Sequence, residues 1–374
     1  MEFRDLKKQY QLHKEQIDAA IQEVVDATHF IIGPQVISLE KELAQYTGTK
    51  HCIACGNGTD ALQLALMAWE IGEGDAVFVP DFTFFSSGEV VPLTGATPVF
   101  VDIGKDTYNI SADSLKSAIE YVIQNTDLRP RVIVAVDLFG RPADYQAIRQ
   151  IAQQYGLLIL EDGAQGFGGM ADGRKACSFG DISTTSFFPS KPLGCYGDGG
   201  AVFTDNDEWA DRLASLRVHG KGGDKYDNVR IGMNSRLDTI QAAVLLQKLS
   251  FLEEELKICG QVAEKYSERL QNFVKIPAEL GSMRSAWAQY TICLKDTNER
   301  ERVIAQMKAD RIPSAVYYKK PMHRQKAFAG NLIQAVSCEN TEYVCARCLS
   351  LPFHPYLQEA EIEAVCESLK KAVE

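Results

Sequence analysis

The chain has a deficit of positive charge and no long apolar run, and both absences limit what it can be. Of its 374 residues, 39 are Lys or Arg and 50 are Asp or Glu, so the net charge is −11. An acidic chain is a poor partner for nucleic acids and anionic membranes. No apolar stretch reaches the roughly 18 residues of a transmembrane helix, and no basic segment followed by an apolar run opens the sequence. We therefore expect a cytoplasmic protein with neither nucleic acid nor membrane as a partner.

A dinucleotide-binding loop is also missing. No Gly-x-Gly-x-x-Gly follows the first strand-like run, which disfavours a Rossmann dehydrogenase. What is present, 45% hydrophobic and 24% charged residues, is typical of an ordinary globular protein. A chain of this length can bury a full core and is expected to form two subdomains.

Ten cysteines raise the question of a metal site, because Cys52-x-x-Cys55 and Cys345-x-x-Cys348 together imitate a split four-cysteine zinc site. Cys52 and Cys55 fall on a predicted strand, where residues three apart face opposite sides. Cys345 and Cys348 are predicted on one helix face, which is compatible with plain packing. We expect reduced cysteines in the core, no metal and no disulfide.

Amphipathic stretches and apolar runs alternate through the first two thirds of the chain. Apolar runs without polar alternation are typical of strands buried on both faces, and strands separated by helices favour a mostly parallel α/β sheet. The pattern predicts helices at 13–28 and 35–46 and strands at 76–79, 97–101, 132–136, 157–160, 182–188 and 200–204.

The pattern changes near residue 237, where a long helix is predicted as far as about residue 273. Its acidic patch Glu253-Glu254-Glu255 is expected on the solvent face, and Pro277 and Gly281 mark a break after it. A strand at 288–294, a helix at 299–310, a strand at 314–318 and two terminal helices follow. The predicted division is a large domain at 1–236, a linking helix at 237–275 and a small C-terminal domain at 276–374.

The surroundings of Lys191 carry the most information about function. Lys191 ends the run Ser186-Phe187-Phe188-Pro189-Ser190-Lys191 and precedes a glycine-rich stretch, and Asp162 ends a buried strand about thirty residues earlier. A lysine in a tight loop and a carboxylate at a strand end indicate pyridoxal phosphate. The lysine would form a Schiff base with the cofactor and later move a proton, and the carboxylate would keep the ring nitrogen protonated. Taken singly, each is more often a surface charge or a helix cap.

Two further features fit that cofactor. The stretch Gly56-Asn57-Gly58-Thr59-Asp60 lies between a predicted strand and a predicted helix, where free N–H groups and the helix dipole can hold a phosphate. Alone this motif is weak, because many strand-to-helix turns contain such glycines. Gln165, three residues after Asp162, could hydrogen-bond the phenolic oxygen of the ring.

With these motifs together, the chain resembles the DegT/DnrJ/EryC1/StrS family of pyridoxal-phosphate-dependent sugar aminotransferases, on the aspartate aminotransferase fold (fold type I). The likeness extends over nearly the whole chain. It is carried by Gly56-Asn57-Gly58-Thr59-Asp60-Ala61-Leu62, Pro80-Asp81-Phe82-Thr83-Phe84, Glu161-Asp162-Gly163-Ala164-Gln165, Ser186-Phe187-Phe188-Pro189-Ser190-Lys191 and Asn234-Ser235-Arg236-Leu237-Asp238.

The resemblance implies a role for each motif. Gly58, Thr59 and Ser186 would contact the cofactor phosphate, and Phe84 would stack on the pyridine ring. Asn234 would reach the phosphate from a neighbouring subunit, which implies a homodimer with shared active sites. The resemblance also implies glutamate as the amino donor, 2-oxoglutarate as its product and pyridoxamine phosphate as the intermediate form of the cofactor.

Substrate residues are predicted from the same likeness. The branch that this chain most resembles acts on UDP-linked 3-oxo-hexuronic acids in O-antigen assembly of lipopolysaccharide, and Arg236 would meet the sugar carboxylate. The chain departs from that branch at Tyr317-Tyr318, where His-Tyr is usual, and at Arg141, where Gln is usual. A 3-keto or 4-keto sugar without a carboxylate therefore stays open. The expected nucleotide-sugar contacts are Tyr317, Tyr318, Lys320 and His323.

Two other functions on the same fold compete with the aminotransferase. A cofactor-dependent sugar dehydratase would carry His at the position of Lys191, and a non-catalytic regulatory protein would be expected to lose Lys191 or Asp162. Both residues are present in this chain. The sequence therefore favours the aminotransferase.

Overall fold

A seven-stranded sheet forms the main layer of the computed structural model, which describes residues 1–224 and 226–373. The α-helices are α1 (Leu6–Leu12), α2 (Lys14–Ala27), α3 (Pro34–Thr47), α4 (Gly58–Ala68), α5 (Ser86–Leu93), α6 (Ala112–Asn125), α7 (Tyr145–Tyr155), α8 (Asp207–Leu216), α9 (Thr239–Leu270), α10 (Thr297–Ala309), α11 (Glu339–Arg347) and α12 (Glu359–Val373). The strands are β1 (His51–Cys55), β2 (Asp75–Pro80), β3 (Thr97–Val101), β4 (Arg129–Val136), β5 (Leu158–Asp162), β6 (Met170–Ala171), β7 (Arg174–Lys175), β8 (Ile182–Ser186), β9 (Gly200–Thr204), β10 (Tyr290–Cys293) and β11 (Cys348–Leu351).

The main sheet has the order β1-β9-β8-β5-β4-β2-β3. The five strands from β8 to β3 are parallel, and β9 runs antiparallel to both of its neighbours. Helices on both faces bury the strands, which explains why their sequences are apolar without alternation. The structure confirms an α/β fold with a mostly parallel sheet, and the carboxyl ends of β4, β5 and β8 meet at one edge.

The C-terminal part packs around a second core. The two-stranded antiparallel sheet β10-β11 lies against α10, α12 and the C-terminal half of α9. The 32-residue helix α9 also packs on α2 and α3, so it joins this core to the N-terminal part of the chain. The proposed domain boundaries at 236 and 275 stay a prediction.

Two secondary-structure predictions near the C-terminus are wrong. Residues 314–318 form no strand; Ala315 makes only an isolated bridge to Ser350. The strand beside β10 is instead β11, which begins at Cys348 directly after α11. Cys345 and Cys348 therefore do not share a helix face. A fully buried four-residue run next to a helix cannot be distinguished from that helix by its periodicity.

The acidic patch on α9 is only partly exposed, which also corrects the sequence prediction. Glu253 and Glu254 are exposed, whereas Glu255 is buried. Gln9 Nε2 donates to both carboxylate oxygens of Glu255 at 3.1 and 3.0 Å, and Tyr356 Oη donates to one of them. A carboxylate can be buried when donors replace its water, and these donors are distant in sequence.

All ten cysteines are free and buried, which fits their prediction as small core residues. Burial raises the pKa of the Cys52, Cys177 and Cys345 thiols, so these side chains stay protonated. Across residues 1–224 and 226–373, no helix has the length and apolarity needed to cross a membrane.

Candidate active site

Asp162 is the last residue of β5, at the carboxyl edge of the main sheet. It lies in register with Val136 of β4 and Thr184 of β8, and it is only 5% exposed. Ser87 Oγ donates to one carboxylate oxygen at 2.7 Å, and the Ala164 amide donates to the other at 3.2 Å. The carboxylate is therefore held in one orientation, with its charge in a site of low solvent access.

Lys191 lies in the loop after β8, the strand next to β5. Its amide donates to the Phe188 carbonyl at 2.8 Å, which tightens the loop. Burial lowers the pKa of the Lys191 ammonium, the charge of Arg4 acts in the same direction, and the carboxylate of Asp162 opposes both. The structure thus brings the two main predicted residues within electrostatic reach. A lowered pKa makes the ammonium easier to deprotonate, and the deprotonated amine is the nucleophilic form.

The N-terminus of α4 lies beside the end of β8. Asn57 caps the helix through its side-chain oxygen, which accepts from the Asp60 amide at 2.8 Å. The amides of Gly58 and Thr59 are in the first turn, where no intrahelical acceptor exists. A Cβ at Gly58 would lie 2.6 Å from Cβ of Ser186, so only glycine fits here. The three predicted phosphate contacts are therefore neighbours at a positive helix end.

Ser235 is a residue of this site that the sequence reasoning missed. Its hydroxyl accepts from the Gly56 amide at 2.9 Å and donates to Asp60 at 2.6 Å, which ties its segment to the loop before α4. Its position within a family motif was the only signal that could have found it. Of its neighbours, Asn234 is exposed and Arg236 is half-buried.

Gln165 connects two parts of the site. Its side-chain oxygen accepts from the Phe139 amide at 2.7 Å, and its side-chain nitrogen donates to Tyr318 Oη at 3.1 Å. Burial raises the pKa of the Tyr318 phenol, and the charge of Asp162 adds to the effect, so this phenol stays protonated. The ring of Phe84, 52% exposed, lies 6.4 Å from that of Tyr318. Tyr318, predicted as a substrate contact, thus lies among the predicted cofactor residues.

The other predicted substrate residues are spread over one loop. Tyr317 is half-buried with its ring edge-on to the ring of Phe3, at 6.3 Å between the ring centres, and Lys320 is exposed. His323 is directed elsewhere: its amide donates to one carboxylate oxygen of Asp81 at 2.8 Å, and its Nδ1 lies 2.6 Å from the other. The structure therefore uses His323 to fasten this loop to the end of β2.

Asp81, His323 and Cys338 place three possible metal-ligand atoms within 4.8 Å of one another. Both oxygens of Asp81 already accept hydrogen bonds from His323, however, and burial raises the pKa of the Cys338 thiol. A metal needs a free carboxylate oxygen and a deprotonated thiol. We therefore interpret this cluster as a hydrogen-bonded lock.

The lock should make stability depend on pH. The hydrogen bond that the His323 ring donates to Asp81 raises the pKa of His323, so the charged pair contributes fully below the ordinary histidine pKa of 6.5 and is lost as the pH rises through the raised value. Asp81→Asn should lower the free energy of unfolding by about 1–3 kcal/mol at pH 6 and by less at pH 9. Urea unfolding at both pH values measures this. Asp211→Asn, at an exposed position of α8, is the control, and an equal loss at both pH values would contradict the ionic lock.

Two buried carboxylates, Asp137 and Glu161, lie behind the site. Glu161 accepts from the Phe179 amide at 2.6 Å, from Ser183 Oγ at 2.7 Å and from two further amides. Asp137 accepts from the Ala143 amide and from Tyr145 Oη at 3.0 and 2.8 Å. Burial, with the charge of Glu161, raises the pKa of Asp137 well above its ordinary value. Burial raises the pKa of Glu161 as well, but four donors stabilise its carboxylate and only two reach Asp137, so we predict that Asp137 carries the proton of the pair.

Asparagine should replace Asp137 at little cost, because a neutral side chain of the same size takes the place of a protonated acid. We expect Asp137→Asn to change the free energy of unfolding by less than about 1 kcal/mol, and Glu161→Gln to lower it by about 2–4 kcal/mol because four donors lose a carboxylate. Chemical denaturation measures both. A larger loss for Asp137→Asn than for Glu161→Gln would reverse the assignment of the proton.

Arg141, where the resembled branch usually has Gln, is bound to the segment that follows α9. Its guanidinium donates to the carbonyls of Ala278 and Glu279 at 3.1 and 3.0 Å. It borders a cavity of about 690 Å³ between α7 and residues 280–283, and none of the predicted site residues lines that cavity. The guanidinium at this position is therefore engaged with the main chain of residues 278 and 279.

The described residues fit pyridoxal phosphate. The start of α4 with Ser186 offers amides and hydroxyls for a phosphate, Asp162 offers a buried carboxylate for a protonated ring nitrogen, and Lys191 offers a half-buried amine. Because residue 58 is glycine, no side chain fills the space between the start of α4 and Ser186. Three chemically distinct parts of one cofactor thus find matching groups around one edge of the sheet.

Comparison with known proteins gives the same result. The model of the DegT/DnrJ/EryC1/StrS aminotransferase family matches residues 11–370. The chain is 42% identical, over 99% of both chains, to UDP-2-acetamido-2-deoxy-3-oxo-D-glucuronate aminotransferase of Pseudomonas aeruginosa. Among solved structures, a DegT/DnrJ/EryC1/StrS aminotransferase from Brucella abortus has 48% identity and a TM-score of 0.97, with 100% of this chain and 99% of that one covered. NtdA of Bacillus subtilis with bound cofactor PMP has 30% identity and a TM-score of 0.88, covering 96% and 82%. The chain therefore belongs to the DegT/DnrJ/EryC1/StrS family and is a pyridoxal-phosphate-dependent aminotransferase of fold type I.

Proposed function

We propose that this enzyme transfers the amino group of glutamate to the 3-keto carbon of a UDP-linked sugar, for the assembly of lipopolysaccharide O-antigen or a similar cell-surface polysaccharide. The observation that carries the proposal is the 42% identity, along the whole chain, to an aminotransferase named for a UDP-linked 3-oxo sugar. The site supports transamination because it retains both Lys191 and Asp162.

The described residues divide the work of such a reaction. When bound, pyridoxal phosphate accepts electrons from the reacting carbon and carries the amino group between two substrates. Asp162, held by Ser87 and the Ala164 amide, would keep a positive charge on the ring nitrogen. Lys191 would take a proton from one carbon and return it to another, which a lysine with a lowered pKa does near neutral pH.

Orientation of the ring would come from three directions. The start of α4 and Ser186 would hold the phosphate, Phe84 would cover one face, and Gln165 would act at the phenolic oxygen together with Tyr318. Gln165 Nε2 donates to Tyr318 Oη, so a shift of the loop that carries Tyr318 would also move the Gln165 side chain. We therefore assign Tyr318 to ring orientation as well as to substrate binding.

For the sugar nucleotide we assign contacts to the loop that follows residue 316 and to Arg236. Lys320 is exposed and carries the positive charge suited to a diphosphate, and Tyr317 presents a half-buried ring. Arg236 would pair with a sugar carboxylate if the substrate is a uronic acid. The ring of His323 is committed to Asp81, so we assign His323 to holding the loop and leave the charged contact to Lys320.

We further propose a homodimer in which Asn234 completes the phosphate site of the partner subunit. Asn234 is exposed on a segment that Ser235 fastens to the α4 loop, so it faces outward close to its own site. Phe30, Ile31 and Ile37 are exposed and line one open pocket, and Val229 and Ile231, close to Asn234 in sequence, are exposed as well. A surface of this kind is typical of an interface.

The substrate is tested by a screen of UDP-, dTDP- and GDP-linked 3-keto and 4-keto sugars with glutamate, followed by mass spectrometry of the products. We expect an amine in place of the keto oxygen of a UDP-linked 3-keto sugar and none with Lys191→Ala protein. Amination of 4-keto sugars alone would replace the proposal with its alternative, a 4-keto aminotransferase. Release of the keto sugar unaminated in every case would reject both.

The shared site is tested with mixed dimers. Chains carrying Asn234→Ala and chains carrying Lys191→Ala should each be weak or inactive as pure proteins. When the two kinds of chain assemble at random, about half of the dimers are mixed, and each mixed dimer has one intact site out of two. The mixture should therefore recover up to about a quarter of the wild-type activity per mole of chain. Size-exclusion chromatography confirms that the dimers form. Dimers that exchange chains without recovering activity would show that Asn234 acts within its own subunit.

A further inference from the structure

The N-terminal segment before α1 is attached to the C-terminal part of the chain. The Phe3 carbonyl accepts from the Phe353 amide at 2.9 Å, and the Phe3 ring meets the ring of Tyr317 edge-on at 6.3 Å. Phe353 belongs to the core around β10 and β11. The first residues of the chain therefore have a fixed position next to the loop that we assign to substrate binding.

From that position Arg4 reaches the lysine loop. Its Nη2 donates to the main-chain carbonyl of Lys191 at 3.1 Å, across 187 residues of sequence. The side chain is half-buried, so this charge is held by protein contacts. The carbonyl of Lys191 adjoins the Cα atom that carries the reactive side chain, and a hydrogen bond there restrains where that side chain starts.

Other charged and titratable groups surround Arg4 and Lys191. Asp162 of β5 acts on Lys191 with the opposite sign to Arg4. On α9, Lys248 is 2% exposed with its Nζ 4.5 Å from the centre of the Tyr196 ring, and Glu255 binds Gln9. His354 and Tyr356, after β11, and Cys259 of α9 also lie within electrostatic reach of Arg4. Of the cations in this group, Arg4 is the one whose hydrogen bond ends on Lys191 itself.

Lys248 shows how strongly this region acts on an amine. Burial lowers the pKa of its ammonium to about 8, and the charge of Arg4 contributes in the same direction, against Glu255. The same guanidinium lowers the pKa of Lys191. Arg4 thus supplies a fixed positive charge to the buried Lys248 and the half-buried Lys191, of which only Lys191 is predicted to bind the cofactor.

We propose that Arg4 is a positioning residue for Lys191, which holds the main chain of the lysine loop through its carbonyl and places a permanent positive charge beside the reactive amine. The proposal rests on the function proposed above for Lys191. Arg4 also links the lysine loop to the C-terminal part of the chain, because the carbonyl of the preceding residue, Phe3, accepts a hydrogen bond from the Phe353 amide.

The test measures the Lys191 amine in cofactor-free protein, so that it does not depend on turnover. Trace acetic anhydride acetylates each lysine in proportion to its neutral fraction, and peptide mass spectrometry reads Lys191 against an internal amine standard across pH 6–11. Arg4→Gln removes the charge. Arg4→Lys keeps it, and Lys7→Gln removes an exposed charge from α1, three residues after Arg4, as a matched control.

For Arg4→Gln we expect the acetylation of Lys191 at pH 7 to fall roughly three- to tenfold and its titration to move to higher pH, because the nearby cation that disfavoured protonation is gone. Lys7→Gln should match the wild type. In Arg4→Lys the positive charge remains, so the acetylation of Lys191 should stay within about twofold of the wild type. The kcat of this variant should fall by a larger factor than its KM rises, because lysine does not reproduce the planar guanidinium contact.

Equal acetylation of Lys191 in Arg4→Gln and Lys7→Gln would overturn the proposal. If Arg4→Gln does not fold, as judged by circular dichroism, Arg4→Lys becomes the deciding variant; wild-type kcat in that variant would overturn the positioning role. Failure of the proposed function is a separate result, since it would appear as wild-type protein that takes up no pyridoxal phosphate while the acetylation differences persist.

Discussion

Lys191→Ala should lower the rate of amino transfer by at least about 10³-fold, the largest effect that we expect from any single substitution. Lys191 lies in the loop after β8, within electrostatic reach of Asp162, and alanine removes both the attachment point of the cofactor and the group that moves the proton. Steady-state assays with glutamate and a keto-sugar nucleotide measure the loss. Binding of pyridoxamine phosphate should persist, because the phosphate and ring contacts remain.

Lys319→Ala is the matched control for that experiment. Lys319 is exposed and lies in the loop assigned to the substrate, so its loss tests whether removing any lysine near the site has the same effect. We expect kcat within about threefold of the wild type. Lys191→Ala protein that still transfers amino groups at a comparable rate would remove Lys191 from the chemistry.

Asp162→Asn should lower kcat by about 10²- to 10⁴-fold, the second largest effect. The substitution keeps size and shape but removes the negative charge that would stabilise a protonated ring nitrogen. Ser87 Oγ donates to this side chain at 2.7 Å and would find a similar acceptor in the amide oxygen, so the local structure should survive. The kcat and the absorbance spectrum of the bound cofactor measure the effect.

Ser87→Ala separates the charge of Asp162 from its orientation. It removes one hydrogen bond to the carboxylate and leaves the charge and the Ala164 contact in place. We expect a loss of about three- to thirtyfold, well below that of Asp162→Asn. Equal losses in the two variants would mean that geometry, and not charge, is what Asp162 contributes.

The α/β fold could be predicted because its strands are buried on both faces and therefore read as uniform apolar runs. The strands Thr97–Val101 and Gly200–Thr204 have the bounds that the sequence predicted, and α2 and α3 lie within a residue of theirs. Cys348–Leu351 was missed because it is a short buried run directly after a helix, where local pattern has no means of separating the two states. Its identity as a strand depends on pairing with β10, about 58 residues away in the chain.

The candidate site divides in the same way. Lys191, Asp162 and the Gly58 turn could be found because each stands in a local motif whose chemistry requires those residue types. The contacts of Ser235, Tyr318 and His323 could not, because each joins segments more than 150 residues apart and leaves no local pattern. His323 shows the consequence: its residue type fits a substrate contact, and only the three-dimensional structure reveals that Asp81 binds its ring.

The central claim, that Lys191 is the attachment point of pyridoxal phosphate, is tested most directly by incubating the protein with the cofactor, reducing it with borohydride and mapping the labelled peptides by mass spectrometry. The chain offers an internal comparison, because Lys248 is a buried lysine whose pKa is lowered to about 8. We predict one pyridoxyl group per chain, on Lys191. A label on Lys248 or on any other lysine, or no stable label at all, would contradict the account.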